Sequence, residues 1–285
     1  MSDDLVPLRC PLCAGTLAAA SSGERTLTCP TGHRYDAAKQ GYFNLLTGRG
    51  TSFREDTAAM VQARASFLAA GHYEPLADAL AQEALTGFPD RVPRLLDAGA
   101  GTGYYLDAVA SALAGSRGQR PPALALDISR YAMRRAARLP RTRALVWDLW
   151  RPLPVADAGV DLLLNVFAPR NGKEFARVIA PGGLALVATP LPGHLAEATV
   201  PLGLLGIAAG KDESVAAAVG PEFEAVHTRE IRSSLELSTD DAVRLATMGP
   251  AGHHHDDAST RSRLQTHPMP ARVTAAFRLQ VFRRR

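Results

Sequence analysis

Three cysteines and a histidine near the start of the chain have the spacing of a metal site. Cys10, Cys13, Cys29 and His33 follow the pattern C-x2-C-x15-C-x3-H, and they include every cysteine of the 285 residues. Two close ligand pairs joined by a longer segment match the tetrahedral coordination of zinc. Because four protein ligands leave no open position, the pattern predicts a structural Zn²⁺. The three histidines at 253–255 are a weaker candidate, since adjacent side chains cannot all face one ion.

A second pattern, D-x-G-x-G-x-G, directly follows a short apolar run that ends at Leu96. Glycines let a ligand approach the backbone closely and tolerate positive φ angles. A dinucleotide-binding loop would place its third glycine where Tyr104 stands, so the pattern departs from that class. We expect an S-adenosylmethionine site that includes Asp97, Gly99, Gly101, Thr102 and Gly103.

Two further carboxylates follow predicted strands. Asp127 ends the run Ala-Leu-Ala-Leu-Asp, where a carboxylate can accept both ribose hydroxyls of an adenosine. Asp148 ends Leu-Val-Trp-Asp, where an acid can accept the adenine amino group. Each alone could be a strand-end cap, but the ends of successive parallel strands meet at the ligand crevice of such sheets. Together they predict an adenosine-containing ligand.

These residues require an α/β framework to bring them together. From residue 94 onward, apolar runs alternate with helical patterns, with strands expected at 95–97, 123–126, 144–147, 162–166 and 184–189 and helices at 104–113 and 131–139. Such alternation predicts βαβ units and a parallel sheet covered on both faces. The fold expected is the class I (Rossmann-like) S-adenosylmethionine-dependent methyltransferase sheet with a small N-terminal zinc-binding module.

The chain divides by composition into a zinc-binding module at 1–50, a helical linker at 51–90 and a methyltransferase domain at 91–285. Near the end, extended segments are expected at 223–226, 233–237 and 275–282 without long helices between them. The stretch 249–267 is predicted to be a mobile loop.

Composition permits an anionic partner without requiring one. The 32 basic and 28 acidic residues give a net charge of +4 and a pI near 9.2, and arginines concentrate at 130–143. No run approaches the roughly 18 apolar residues of a membrane helix. The first ten residues do not resemble a signal peptide. A cytoplasmic protein without membrane contact is expected.

The chain resembles the bacterial 23S ribosomal RNA (guanine-N1)-methyltransferases, in particular the actinomycete branch linked to macrolide (tylosin-type) resistance. The resemblance spans nearly the whole length, and its most specific segments are the Gly-His-Tyr of 71–73 and Asn-Val-Phe-Ala-Pro-Arg-Asn of 165–171. It implies methyl transfer to N1 of a guanine in hairpin 35 of 23S rRNA. It also implies that Tyr73 and His194 help to enclose the cofactor, and that a homodimer lines an RNA cleft with its zinc modules.

Asn165, at the end of the fourth strand, is the residue expected to position the acceptor. An amide can accept a hydrogen bond from guanine but cannot serve as a base, and a strand-end cap is the alternative role. Phe167 could stack on a base, because N1 lies inside a Watson–Crick pair and must be exposed before it reacts. In the N-terminal module, Arg34 and Lys39 are expected to contact RNA, while its aromatic residues fill the small core.

Two other functions remain open at this stage. One is methylation of a small molecule, against which the additional zinc module argues. The other is a non-catalytic RNA-binding protein with a relict methyltransferase fold, against which the complete glycine motif and the two carboxylates argue. Methylation of protein-free rRNA would distinguish an rRNA methyltransferase from a small-molecule methyltransferase. Binding of the cofactor would distinguish a methyltransferase from a non-catalytic RNA-binding protein.

Overall fold

The computed structural model describes residues 5–19, 25–48, 50–51, 53–204, 213–253 and 257–285. The N-terminal part forms two small hairpins and one further strand. The antiparallel pairs are β1 with β2 and β3 with β4, and β5 joins the large sheet. Their bounds are β1 Leu8–Arg9, β2 Thr16–Leu17, β3 Thr26–Thr28, β4 Arg34–Asp36 and β5 Phe43–Asn44.

Two helices connect this module to the sheet, as the sequence predicts. Helix α1 spans Ala58–Ala69 and is capped by the Thr57 hydroxyl, which accepts from the Met60 amide. Helix α2 spans Glu74–Gly87 and has a proline in its first turn. Gly71, at φ +82°, lies in the turn between them, in a conformation that glycine adopts without strain.

The central sheet has the strand order β11-β12-β10-β9-β6-β7-β8-β5. Strands β5 to β10 are parallel, whereas β12 runs antiparallel to both β10 and β11. The order reverses between β6 and β9, so their carboxyl ends define the crevice where such sheets bind ligands. The strands are β6 Leu95–Ala98, β7 Ala123–Asp127, β8 Thr142–Val146, β9 Val160–Val166, β10 Ile179–Pro190, β11 Phe223–Leu235 and β12 Val273–Arg284.

Apolar clusters cover both faces of this sheet. On one face, α2 and α3 pack against alternate strand residues. On the other, the cores of the zinc module and of α5 and α7 form one cluster with Leu96, Leu124 and Leu145. The remaining helices are α3 Tyr104–Arg117, α4 Arg130–Ala136, α5 Gly172–Val178, α6 Thr199–Leu202, α7 Glu213–Val219, α8 Thr239–Met248 and α9 Asp257–Thr266.

The C-terminal region differs from the sequence prediction. The two segments expected at 223–226 and 233–237 are one strand, β11, and two ten-residue helices, α8 and α9, separate it from β12. The loop predicted at 249–267 is therefore wrong, since α9 and a short 3₁₀ turn at Pro250–His253 occupy most of it. Only Thr260 of α9 is buried, so this helix lacks the apolar stripe that identifies helices in a sequence.

Among the residues described, none of the helices combines the length and apolar character needed to cross a bilayer.

Candidate functional site

The four predicted zinc ligands come from two tight turns. Cys10 follows β1, and its carbonyl accepts from the Ala14 amide at 2.9 Å. Cys29 follows β3, and its carbonyl accepts from the Gly32 amide at 2.9 Å, with Gly32 at φ +88°. Each turn points one ligand pair toward the same point between the hairpins.

The distances between ligand atoms fit a tetrahedral zinc site. The Cys13 and Cys29 sulfurs lie 3.6 Å apart, and His33 Nδ1 lies 3.5 Å from Cys10 Sγ and 3.4 Å from Cys29 Sγ. All four ligand atoms lie within 4.8 Å of one another. Tetrahedral zinc with bonds of about 2.3 Å to sulfur and about 2.0 Å to nitrogen requires edges of roughly 3.5–3.8 Å. The residues present therefore fit Zn²⁺.

The surroundings of Cys13 and Cys29 favour thiolates, whereas burial raises the pKa of Cys10. The Thr31 hydroxyl donates to Cys13 Sγ at 3.1 Å and lies equally close to Cys29 Sγ. Hydrogen bonding from Thr31 is the main cause that lowers the pKa of Cys29 to about 6, and it also lowers the pKa of Cys13. Thr31 thus orients and supports the ligands, as the second shell of a metal site does.

The glycine loop lies at the carboxyl end of β6, directly beneath the loop that follows β9. Gly99 has φ +92°, and a Cβ there would overlap the Cβ of Ala168. Gly103, at φ +83°, is the N-cap of α3, and a Cβ there would clash with Leu139. Thr102 lies between the glycines and is partly buried. The loop is a backbone cradle in which Gly99 and Gly103 leave no space for a Cβ.

Two carboxylic acids line this crevice, the buried Asp97 and the partly buried Asp127. Asp97 is almost completely buried, and its Oδ1 has no hydrogen-bond partner among the described residues. Burial raises the pKa of Asp97 to about 8, and the nearby charge of Asp127 adds to the increase. Asp127 accepts from the Gly101 and Ser129 amides, both at 2.8 Å, and burial raises its pKa as well.

A cationic ligand would satisfy these carboxylates, whereas a pyrophosphate would be repelled. S-adenosylmethionine carries a sulfonium and an ammonium group, so the unpartnered oxygen and the glycine cradle fit it. Asp97, Asp127 and the loop from Gly99 to Gly103 are the residues that would hold it.

Asp148 lies at the end of β8 next to a segment that sequence reasoning missed. Its Oδ1 accepts from the Trp150 amide at 3.0 Å and its Oδ2 from the Thr51 hydroxyl at 3.1 Å. A few residues later, Glu55 pairs with Arg130, which follows β7, at 2.7 Å. The segment before α1 therefore crosses the carboxyl ends of β7 and β8. Its residues carry no motif, so only the fold reveals this position.

Arg64 is a second residue that the sequence did not indicate. It extends from α1, pairs with Asp56 at 2.5 Å and donates to the Met248 carbonyl at 2.6 Å. A Cβ placed on Gly101 would lie 3.8 Å from its guanidinium, and its charge lowers the pKa of Asp127 against the effect of burial. Arg64 thus lies beside the glycine loop with its charge paired with Asp56.

Tyr73 and His194 are in contact, 121 positions apart in the sequence. His194 Nδ1 accepts from the Ala276 amide at 3.1 Å, and burial lowers the pKa of His194 to about 4, so its proton resides on Nε2. Nε2 lies 3.3 Å from the Tyr73 hydroxyl and donates to it. The hydroxyl proton of Tyr73 remains available for a ligand.

Asn165 lies at the end of β9, next to Asp97 across the switch point. Its side chain is fully buried, and Nδ2 donates to the Ala98 carbonyl at 2.9 Å and to the Pro169 carbonyl at 3.0 Å. Its Oδ1 has no partner among the described residues. The amide therefore anchors the loop after β9 and leaves one acceptor unused, so the expected acceptor-positioning role stays a prediction.

Of the remaining expectations, Tyr35 and Phe43 are buried in the cluster that contains the core of the zinc module, whereas Tyr42 is buried in the cluster of α2 and α3. Of the histidines predicted as a weaker metal site, only His253 is among the described residues. The group of possible metal ligands found among those residues is Cys10, Cys13, Cys29 and His33, and it does not include His253.

The strand order, the glycine cradle and the carboxylates at the switch point define a class I S-adenosylmethionine-dependent methyltransferase with a zinc ribbon. Residues 8–48 match the zinc-ribbon family described as RlmA, N-terminal. A crystal structure of a provisionally named methyltransferase from Bacillus halodurans aligns with 71% of this chain and 98% of its own, with 11% identity and a TM-score of 0.46.

Two curated relatives cover almost the full chain. The 23S rRNA (guanine(748)-N(1))-methyltransferase of Streptomyces fradiae is 42% identical over 281 residues, covering 97% of this chain and 96% of the relative. A Micromonospora griseorubida protein, provisionally named 23S rRNA (guanine-N(1)-)-methyltransferase, is 46% identical over 299 residues and 99% of both chains. The chain belongs to the 23S rRNA (guanine-N1)-methyltransferase family.

Proposed function

We propose that this protein transfers the methyl group of S-adenosylmethionine to N1 of a guanine in hairpin 35 of 23S rRNA. The observation that carries the proposal is the near full-length similarity to the guanine(748) enzyme of Streptomyces fradiae, together with a cofactor crevice complete in every motif residue. By the same similarity, the modification confers macrolide (tylosin-type) resistance. An rRNA substrate also implies action in the cytoplasm.

Within the crevice, each group has a defined task. The bound cofactor supplies a methyl group that its sulfonium already activates, so the protein mainly has to place the acceptor nitrogen in line. Asp127 accepts the ribose hydroxyls, Asp148 faces the adenine, and Tyr73 and His194 help to enclose the cofactor. Asn165 Oδ1 accepts a hydrogen bond from the guanine and so helps to orient its N1.

The zinc ribbon serves recognition of RNA. Arg34 and Lys39 contact phosphates, and the bound metal holds the hairpins that carry them. The division proposed is an RNA-recognition module at 1–50, a helical linker at 51–90 and a methyltransferase domain at 91–285. Two copies form a homodimer whose ribbons line one RNA cleft, which sedimentation of the protein with and without rRNA would test.

The direct test is incubation of the full-length protein with protein-free 23S rRNA and labelled cofactor, followed by nucleoside analysis. N1-methylguanine is expected from the wild type and not from Asp127→Ala. A protein that binds the cofactor but leaves rRNA unlabelled would favour a small-molecule acceptor. Failure to bind the cofactor would instead favour the non-catalytic alternative.

A further inference from the structure

The loop that follows β9 holds an aromatic ring in an unusual backbone conformation. Phe167 has φ +54°, a region that bulky residues rarely adopt, and 44% of the residue is exposed. The ring nevertheless packs at one edge, with its centroid 6.4 Å from Tyr73, 6.3 Å from Tyr105 and 5.5 Å from Phe277. Strained backbone of this kind is concentrated at functional sites. The result is a rigid aromatic face at the mouth of the crevice.

The loop is fixed on both sides. The Asn165 amide donates to the Pro169 carbonyl, and the side chain of Ala168 fills the space above Gly99. Asn171 caps α5, and its Nδ2 donates to a carbonyl of the turn after β8 at 3.0 Å. The backbone between these anchors, which includes Arg170, is therefore held in place before any ligand arrives.

Arg170 is a partly buried cation without a counterion. No described residue forms an ion pair or hydrogen bond with its side chain, and burial alone lowers its pKa. Neighbouring arginines differ, because Arg177 pairs with Glu174 at 2.6 Å and Arg151 lies 3.8 Å from Asp148. A partly desolvated guanidinium is costly unless an anion pairs with it.

We propose that Arg170 binds a backbone phosphate beside the target guanine while Phe167 stacks on the extruded base. This inference rests on the proposed function. Guanine N1 must leave its base pair to react, and an extruded base is commonly held by stacking in a pocket. The planar guanidinium matches the geometry of a phosphate. The cofactor carboxylate is the rival anion, and cofactor binding by the Arg170 variant distinguishes the two.

The test compares Arg170→Gln with Arg283→Gln in the full-length protein. Arg283 is exposed at the end of β12 opposite Leu184, which is the far end of the sheet from the crevice, so the control removes the same charge elsewhere. The probe is a transcript of the 23S hairpin with its flanking stems, titrated at increasing KCl. Calorimetry of the same variants measures cofactor binding, and thermal unfolding measures stability.

For Arg170→Gln we expect about tenfold weaker RNA binding at low salt and a slope of log K against log[KCl] smaller by about 0.7–0.9. Cofactor affinity and the unfolding temperature stay at wild-type values. Arg170→Lys keeps the salt slope of the wild type but recovers only part of the affinity, because it lacks the planar fork.

RNA affinity and a salt slope equal to those of Arg283→Gln would overturn the proposal. Loss of cofactor affinity with an unchanged RNA slope would also overturn it and assign Arg170 to the cofactor carboxylate. A wild-type protein that binds the transcript without methylating it would contradict the proposed function, while the phosphate contact would still be measurable.

Discussion

The zinc ribbon and the methyltransferase sheet obtain their order in different ways. In the ribbon, strands of two or three residues hold four ligand side chains whose metal supplies the stabilisation that so small a core lacks. In the sheet, long strands buried on both faces position a binding loop before any ligand arrives. We therefore expect the folding of the ribbon to depend on its zinc ion, and cofactor binding in the crevice to depend on the shape of the backbone. The two regions nevertheless share one apolar cluster.

The largest effect is expected from loss of a zinc ligand. Cys29→Ser should release the metal and unfold the ribbon, because structural zinc contributes about 10–16 kcal/mol in small zinc domains. RNA methylation should fall below detection, whereas cofactor binding should change only severalfold, since no motif residue of the crevice lies in the ribbon. Zinc content, circular dichroism and calorimetry check this. Equal loss of cofactor affinity would mean that the two regions fold as one unit.

The converse change is Gly99→Ala. The new Cβ would collide with Ala168 in a backbone conformation unfavourable to alanine, two costs of about 1–3 kcal/mol each. We expect at least about 30-fold weaker cofactor binding with zinc retained. Gly99→Ala combined with Ala168→Gly should recover part of the affinity, and Gly115→Ala, where a Cβ meets nothing, is the matched control. If the double variant binds the cofactor no better than Gly99→Ala, the positive φ angle alone accounts for the need for glycine at position 99.

A smaller effect concerns Asp97. Because burial raises its pKa to about 8, the cofactor-free protein binds a proton there that a cationic ligand must displace. Cofactor affinity should weaken as pH falls below about 8, and binding should release a proton. Calorimetry in buffers of different ionisation enthalpy measures that release. His194, with its pKa lowered to about 4 by burial, stays neutral throughout this range.

Asp97→Asn tests how the raised pKa of Asp97 changes the stability of the fold with pH. A folded-state pKa raised above the unfolded value makes folding less favourable as pH rises from about 4 toward 8. The neutral variant should therefore unfold at a higher temperature than the wild type at pH 8.5, while binding the cofactor less tightly and without pH dependence. A variant that is less stable at pH 8.5 would contradict the account of Asp97.

The smallest effect is expected from Tyr73→Phe. Removing the hydroxyl deletes its contact with His194 and its free proton but keeps the ring packed against Phe67 and Phe277. A neutral hydrogen bond is worth about 0.5–1.5 kcal/mol, so cofactor affinity should fall about 2- to 12-fold. Unchanged affinity would restrict Tyr73 to packing.

Sequence patterns predicted the features that are local. Zinc ligands follow from spacing, and the glycine loop follows from a strand and a turn only ten residues long. Strand β11 was predicted only at its ends, because Glu224–Glu230 at this sheet edge are all exposed and show no alternation. The β5 strand was missed since its two residues are ordered by pairing with β8.

The residues missed at the site are those that only the fold brings there. Thr51, Asp56 and Arg64 belong to the segment before α1 and to α1 itself, and nothing in their spacing indicates a ligand. They reach the crevice because α1 packs on α8 and α4. In the same way, only the fold shows that Arg170 is partly buried without a partner among the described residues.

The most direct test of the central claim is primer extension across hairpin 35 of 23S rRNA treated with the protein and S-adenosylmethionine. Because N1-methylguanine blocks Watson–Crick pairing, reverse transcriptase should stop one nucleotide before the target guanine. We expect this new stop with the wild-type protein and not with Asp127→Ala. No stop anywhere in the hairpin, from a folded protein that binds zinc and the cofactor, would contradict that claim.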